Sequence, residues 1–376
     1  MTRTLWVTND LPPRAGGIEQ YLANVLARLD PTATRVLTSR APGDAAHDAT
    51  LAYRVDRLGR RPLLPTRGLL DAVRAAAEDH GAEVVVFGAA WPLASLAVRL
   101  GRLTLALTHG HEAGMTRVGL GPTVRHSLRG VDAVGVISAY TRAALAPWLP
   151  AATAVHWLPP GVDVDAFHPD VDGAPVRARL GVGATQPLVM CVARLVARKG
   201  QDALVRAWPA VSDRVPGARL VLAGTGPLRG RLEARVRTLR VAEAVTLAGP
   251  VAWADLPAFH AAADVFAMPC RTRLGGLDVE GLGIVYLEAQ ACGRPVVAGR
   301  SGGAAEAVLP GQTGLVVDGR STAELAAAVV DLLEDPPRRR RMGGAGRAFV
   351  AGRFAWPVVV DRFRRVLAGL AGTDSS

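Results

Sequence analysis

Short apolar runs recur along this chain, separated by stretches with helical periodicity, and that alternation constrains the fold more than any other feature. Residues 5–8, 34–38, 84–87, 103–108, 134–138 and 154–158 are rich in Val, Leu and Thr. Such runs, alternating with helical stretches, argue a parallel sheet. Residues 18–29, 69–79 and 92–100 carry apolar positions at helical spacing between them. The Pro- and Asp-rich segment PPGVDVDAFHPD, residues 159–170, interrupts the series. A second series then begins, with strands expected at 188–193, 220–223, 245–247, 265–268, 295–298 and 314–317. Helices are expected at 201–214, 228–239 and 322–334. Residues 39–66 read as a loop carrying one strand, and the tail reads as helices at 336–350 and 356–370. The implied class is α/β, with two Rossmann-like domains at 1–165 and 166–355 and a terminal helical segment at 356–376.

A length of 376 residues with 49% hydrophobic content supports two cores. No apolar run approaches the roughly 18–20 residues of a membrane helix, and the start, MTRTLWVTND, enters a strand without a signal-peptide layout. Cys191, Cys270 and Cys292 have no metal-site spacing, so reduced thiols and a cytoplasmic setting are expected. The net charge is +11, and all but one of the 44 basic residues are arginine. This composition fits a GC-rich genome, yet the charge also favours anionic lipid headgroups. Nucleic acid is not an expected partner: aromatics make up 5% and do not interleave with the basic residues.

The segment PCRTRLGGLDVEGLGIVYLEAQACGRPVVAGRSGG, residues 269–303, holds two carboxylates, Glu280 and Glu288. Gly281 and Gly283 suit a tight loop that opens a helix over 284–292, stopped by Gly293 and Pro295. Eight helical steps would set the two carboxylates on roughly one side, about 12 Å apart. A helix N-terminus between them would offer free N–H groups to a diphosphate. Each carboxylate can accept from two vicinal hydroxyls. Arg194 and Lys199 follow a strand and open a helix, and the chain's one lysine falls there although arginine is used everywhere else. His109 and His111, in THGHEAG, stand at the end of another strand, where open α/β sheets bind ligands. Gly16 and Gly17 lie between the first strand and first helix, flanked by Asp10, Arg14 and Tyr21.

LDVEGLGIVYLEAQACGRPVVAGRSGGAAEAV resembles the donor-site signature of the retaining glycosyltransferases of family 4, and the likeness extends from VTNDLPPRAGGIEQYL to the last helix. Its wording is nearest the actinobacterial GDP-mannose-dependent enzymes acting on phosphatidylinositol mannosides. The resemblance implies a GT-B fold with a deep interdomain cleft. It implies His109, Glu280, Arg194 and Lys199 as catalytic residues, with His111 as the reserve for His109. Gly16, Gly17, Val251, Gly281, Leu282, Gly283, Ile284, Val285 and Glu288 would complete the donor site. Asp10, Arg14, Tyr21 and His111 would meet the acceptor. Ala305 stands where the family commonly has proline, and Leu274 is bulky for a glycine-rich loop.

The implied reaction is transfer of a hexose, mannose by resemblance, from a nucleotide diphosphate to a lipid hydroxyl with retention, needing no metal or other cofactor. The partners are then a nucleotide-sugar and a lipid acceptor at an anionic membrane surface, with peripheral attachment. The oligomeric state is not encoded in any motif. The alternative is a family 4 enzyme using another GDP- or UDP-sugar and a soluble acceptor. A pyridoxal-dependent phosphorylase would have to use Lys199, and a non-catalytic sensor would not need His109.

Overall fold

The computed structural model describes residues 1–14, 16–59 and 62–372. The chain forms two compact units, Met1–Gly161 with Trp356–Ser376, and Val162–Ala355. The last helix therefore belongs to the first unit. Among the described residues the first sheet has seven parallel strands: β1 (Thr4–Val7), β2 (Thr34–Ser39), β3 (Arg54–Leu58), β4 (Val84–Phe87), β5 (Leu103–Leu107), β6 (Ala133–Val136) and β7 (Ala154–Trp157). Their spatial order is β3-β2-β1-β4-β5-β6-β7.

The two faces of this sheet carry separate cores, and the strand period of two assigns residues to each. Leu5, Val7, Val85 and Phe87 enter one core with Val73, Leu93 and Leu128. Trp6, Val84, Val86 and Leu105 enter the other with Tyr21, Leu22 and the terminal helix Trp356–Ala371. That helix buries Trp356, Val359, Val360, Phe363 and Leu367, a helical stripe. Phe363 meets Trp6 at 6.2 Å and Trp356 stacks on Tyr21 at 6.4 Å between ring centroids.

The stretch 39–66 contains β3 and a short helix, Asp44–Asp48. β3 is an edge strand whose polar sequence reflects its exposure: Arg35, buried on β2, pairs with Asp56 at 2.5 Å and with Asp79 at 2.7 Å. Expected helix 92–100 is a 3-10 turn, Leu93–Leu96, followed by one α-turn, Ala97–Leu100.

The second unit repeats the plan with six described strands: β8 (Leu188–Val192), β9 (Arg219–Ala223), β10 (Val245–Gly249), β11 (Val265–Met268), β12 (Val296–Gly299) and β13 (Gly314–Val317), ordered β10-β9-β8-β11-β12-β13. Helices Gln201–Arg214 and Thr322–Glu334 have the expected bounds. Strand order reverses between β1 and β4 in one sheet and between β8 and β11 in the other. The carboxyl ends of strands at such reversals are where open α/β sheets hold ligands.

Truncating Phe363 to alanine should cost about 3–5 kcal/mol, because a fully buried ring is lost between packed layers. The expected readout is a clearly earlier urea midpoint, whereas exposed Arg365→Ala should leave the midpoint in place.

Candidate active site

At the reversal in the second sheet, the loop after β8 and the loop after β11 bring Lys199 and Glu280 together. Lys199 Nζ donates to Glu280 Oε2 at 2.7 Å, and both side chains are about nine-tenths buried. Arg198 Nε lies 3.6 Å from the same oxygen, and its Nη1 lies 3.4 Å from Asp278. Burial works to raise the Glu280 carboxyl, but Lys199 and Arg198 outweigh it and hold the group below the ordinary glutamate range.

Close backbone approaches fix both partners. Gly200 has φ +80°, and a Cβ there would stand 2.1 Å from the Pro269 carbonyl oxygen at the end of β11. Gly302 has φ +54°, and a Cβ there would stand 2.1 Å from the Glu280 carbonyl oxygen. No other residue type fits either place without moving the loop. Gly303 N–H donates to that same carbonyl at 3.0 Å.

Glu280 is not on the helix that carries Glu288, which corrects the expected geometry. The helix is Ile284–Ala291, and Glu280 precedes it in a loop containing Gly281, buried Leu282 and Gly283 at φ +84°. The advance of eight helical residues therefore does not apply. The helix does begin with an open N-terminus, uncapped by any side chain, at half-buried Ile284 and Val285. Glu288 lies inside it, 2% exposed, with Oε2 3.4 Å from His260 Nε2. Arg194 is exposed beyond β8, and its carbonyl accepts from Gln201 at 2.9 Å. Val251 is half-buried after β10.

Further arginines crowd this edge. Asp202 takes Arg271 and Arg206, each at 2.7 Å, and Asp278 takes Arg273 at 3.2 Å. Among the described residues, Lys199, Arg198, Arg206, Arg271 and Arg273 thus share three paired carboxylates, Asp202, Asp278 and Glu280, which leaves the edge with more positive than negative charge. Sequence reasoning passed over Arg198, though its place beside the lone lysine was a usable signal. Leu274 is 64% exposed with φ +50° in the loop before Glu280.

In the first unit, His109 and Asp10 follow β5 and β1, on either side of β4. His109 Nε2 donates to the Gly88 carbonyl at 2.6 Å, and Tyr21 packs edge-on at 5.6 Å. A carbonyl only accepts, so Nε2 carries the hydrogen and Nδ1 keeps its lone pair in the neutral ring. Burial lowers the His109 pKa, against the opposing pull of Glu112 and Asp10, and so favours that neutral ring. Burial, with Glu19 next, raises the Asp10 carboxyl. His111 is exposed at the start of the helix His111–Arg117.

Two acceptor candidates have structural tasks. Tyr21 is buried, and its hydroxyl donates to the Leu158 carbonyl at 2.8 Å. Arg14 donates to the Asn9 carbonyl at 3.2 Å and to Ser39 Oγ at 3.0 Å. Gly16 and Gly17 are exposed at the start of the helix Gly17–Leu26, and a Cβ on Gly17 would meet nothing within 4 Å. Gly17 therefore has room for a side chain, whereas a Cβ on Gly16, whose backbone is extended, would stand 2.1 Å from the Glu19 carboxylate and displace it. All three cysteines are buried, and burial pushes their thiols up to about 12. Among the described residues no group of three or more His, Cys, Asp or Glu side chains could hold a metal.

Residues 15–166 match the family model Glycosyltransferase Family 4, and residues 175–349 match Glycosyl transferases group 1. A GDP-mannose-dependent alpha-(1-6)-phosphatidylinositol monomannoside mannosyltransferase of Mycobacterium tuberculosis is 46% identical, over 98% of this chain and 99% of that protein. A GDP-mannose-dependent monoacylated alpha-(1-6)-phosphatidylinositol monomannoside mannosyltransferase of Corynebacterium glutamicum is 43% identical, over 97% of both. Among solved structures, Anabaena HepE in complex with UDP superposes with a TM-score of 0.81 at 22% identity, over 98% of this chain and 100% of that one. These structural neighbours carry the GT-B fold.

The Lys199–Glu280 pair has a pH signature. A carboxyl held below its ordinary pKa adds stability that is complete above the unfolded value and disappears as pH falls through the folded one. Lys199→Ala should be less stable than wild type at pH 7, by somewhat under the about 3–5 kcal/mol of a fully unpaired buried charge, because Arg198 remains. The gap should narrow as pH falls below the glutamate range. Melting curves across pH 3–8 test this (a range of roughly the glutamate to neutral region), and a gap that widens in acid would contradict it.

Proposed function

We propose that this chain, which belongs to the family 4 glycosyltransferases, moves mannose from GDP-mannose to a hydroxyl of a phosphatidylinositol-mannoside lipid with retention of configuration. The observation that carries this reading is the buried Lys199–Glu280 pair at the strand-order reversal, with its surplus of cations. The relatives of matching length that use GDP-mannose and phosphatidylinositol acceptors support the choice of donor and acceptor.

Lys199 has three N–H donors and gives one to Glu280, so two remain for oxygens of the departing diphosphate. Arg194 and Arg198 add charge there, stabilising the negative charge that develops as the glycosidic bond breaks. These cations can do the work that a metal ion does in other transferases, and the proposed reaction needs none. Glu280, kept ionised by its neighbours, accepts hydrogen bonds from sugar hydroxyls. Glu288 accepts from the ribose, and the open turn at Gly283, Ile284 and Val285 donates to phosphate. His109 presents Nδ1 to a sugar hydroxyl in the first unit, and Asp10 and His111 serve the acceptor. Retention then follows from same-face displacement, with the leaving phosphate oxygen taking the acceptor proton.

The proposed acceptor lies in an anionic membrane, and no helix among the described residues is long and apolar enough to cross one. Among the described residues 62–70, Leu63, Leu69 and Leu70 are buried and Leu64 is the one exposed leucine, so this stretch offers little apolar surface beside exposed Arg67, while Arg60 and Arg61 lie outside the described residues. Exposed apolar side chains occur instead at Trp91, Val98, Val118 and Leu120, close in sequence to exposed Arg99, Arg102, Arg117 and Arg125. This mixture suits a peripheral contact with anionic lipid.

Glu280→Ala and Lys199→Ala should each abolish mannosyl transfer with the fold retained. Lys199→Arg should lose most of it, because a planar fork cannot take the place of a compact ammonium between carboxylate and phosphate. Near-normal turnover in Lys199→Arg would remove the clamp role. The chain should also sediment with phosphatidylinositol vesicles and be released as salt shortens the field toward about 8 Å and below. Phosphatidylcholine vesicles should not retain it. Equal binding to both, or to neither, favours an enzyme with a soluble acceptor.

A further inference from the structure

Glu288 is a carboxylate buried inside the second unit, 2% exposed. Its Oε2 is buried and takes no hydrogen bond. An unpartnered carboxylate oxygen in such a place is costly, so its neighbour needs an account. That neighbour is His260 on the helix Leu256–Ala262, whose ring is 0% exposed. The ring lies among aromatics, with centroids 5.8 Å from Phe167 and 5.3 Å from Phe266. Neither ring nitrogen makes a hydrogen bond, and Nε2 lies 3.4 Å from Glu288 Oε2. The same two helices meet again where Cys292 Sγ donates to the Pro257 carbonyl at 3.8 Å.

We infer that His260 is a positioning residue for the donor site: when donor binds, its Nε2–H takes up Oε2 of Glu288, 3.4 Å away, and thereby keeps Oε1 turned toward the nucleotide's vicinal hydroxyls. The inference rests on the proposed role of Glu288 in nucleotide binding. Three features of the geometry support it. Oε2 is the carboxylate oxygen that is both buried and unpartnered, so Oε1 is the one open to a ligand. Among the described residues no other side chain donates to this carboxylate. The Nδ1 edge has no acceptor, which leaves Nε2–H beside a carboxylate as the favoured neutral tautomer. The aromatic packing restrains the ring plane. At 3.4 Å the contact is long for a hydrogen bond, and ligand binding at Oε1 would shorten it, as contacts in unliganded sites tighten on binding.

Calorimetry with GDP on the full chain tests this. His260→Phe keeps an aromatic ring between Phe167 and Phe266 but removes the donor. It should weaken GDP binding about 5–10-fold, the upper end of what an ordinary hydrogen bond contributes net, with little change in kcat at saturating donor. His260→Gln, whose amide nitrogen can reach the Nε2 position, should restore most of the affinity. Glu288→Gln should weaken binding similarly, and the double variant with His260→Phe should be no worse than Glu288→Gln alone. Nitrogen NMR of wild-type His260 should report the Nε2–H tautomer. The inference is overturned if Glu288→Gln weakens GDP binding while His260→Phe does not, if the two effects multiply, or if the ring carries its proton on Nδ1. Unchanged GDP affinity in Glu288→Gln would instead remove the ribose role itself.

Discussion

The ion pair between Lys199 and Glu280 is the contact on which the second unit's site depends. Its two halves come from loops 81 residues apart in sequence, joined only because β8 and β11 are neighbours at the reversal of strand order. A buried pair of this kind adds little net stability, since desolvation consumes most of the attraction. What it provides is a defined place for each charge. Gly200 and Gly302 serve the same end, allowing backbone to approach at distances that exclude any side chain. The proposed donor site is thus organised in advance, so ordering it on binding would cost little.

The first unit uses the same topology with different chemistry. Around its reversal stand a histidine held neutral by burial and a carboxyl raised by burial and by Glu19, rather than a cluster of cations. The Gly88 carbonyl selects the His109 tautomer. Tyr21, which looked like a ligand residue, contributes by filling the core: it packs against His109, Trp356 and Phe363 and ties its hydroxyl to Leu158. The terminal helix thus supports the wall behind His109.

Most of the architecture was legible in the sequence because buried parallel strands must be apolar on both faces. Val265–Met268 and Gly314–Val317 have the bounds that their composition predicts. β3 was hard to delimit because an edge strand can be polar, and Arg54, Asp56 and Arg57 find partners off the strand at Asp79, Arg35 and Asp48. Lys199 and Glu280 were legible as residues, but not as partners, since pairing depends on tertiary neighbours. The loop at Gly281 and Gly283 and the helix from Ile284 were legible, but the spacing of eight helical steps from Glu280 to Glu288 failed, because that loop, with left-handed backbone at Gly283, lies between Glu280 and the helix. His260 gave no local signal at all: a histidine in FHAAAD reads as core, and only its distance to Glu288 distinguishes it.

The most direct test of the account is a crystal structure of the full chain with intact GDP-mannose. The account predicts diphosphate oxygens within hydrogen-bond distance of Lys199 Nζ, sugar hydroxyls on the Glu280 carboxylate and the ribose on Glu288. A donor bound elsewhere, with the Lys199–Glu280 pair untouched by any of its atoms, would contradict it.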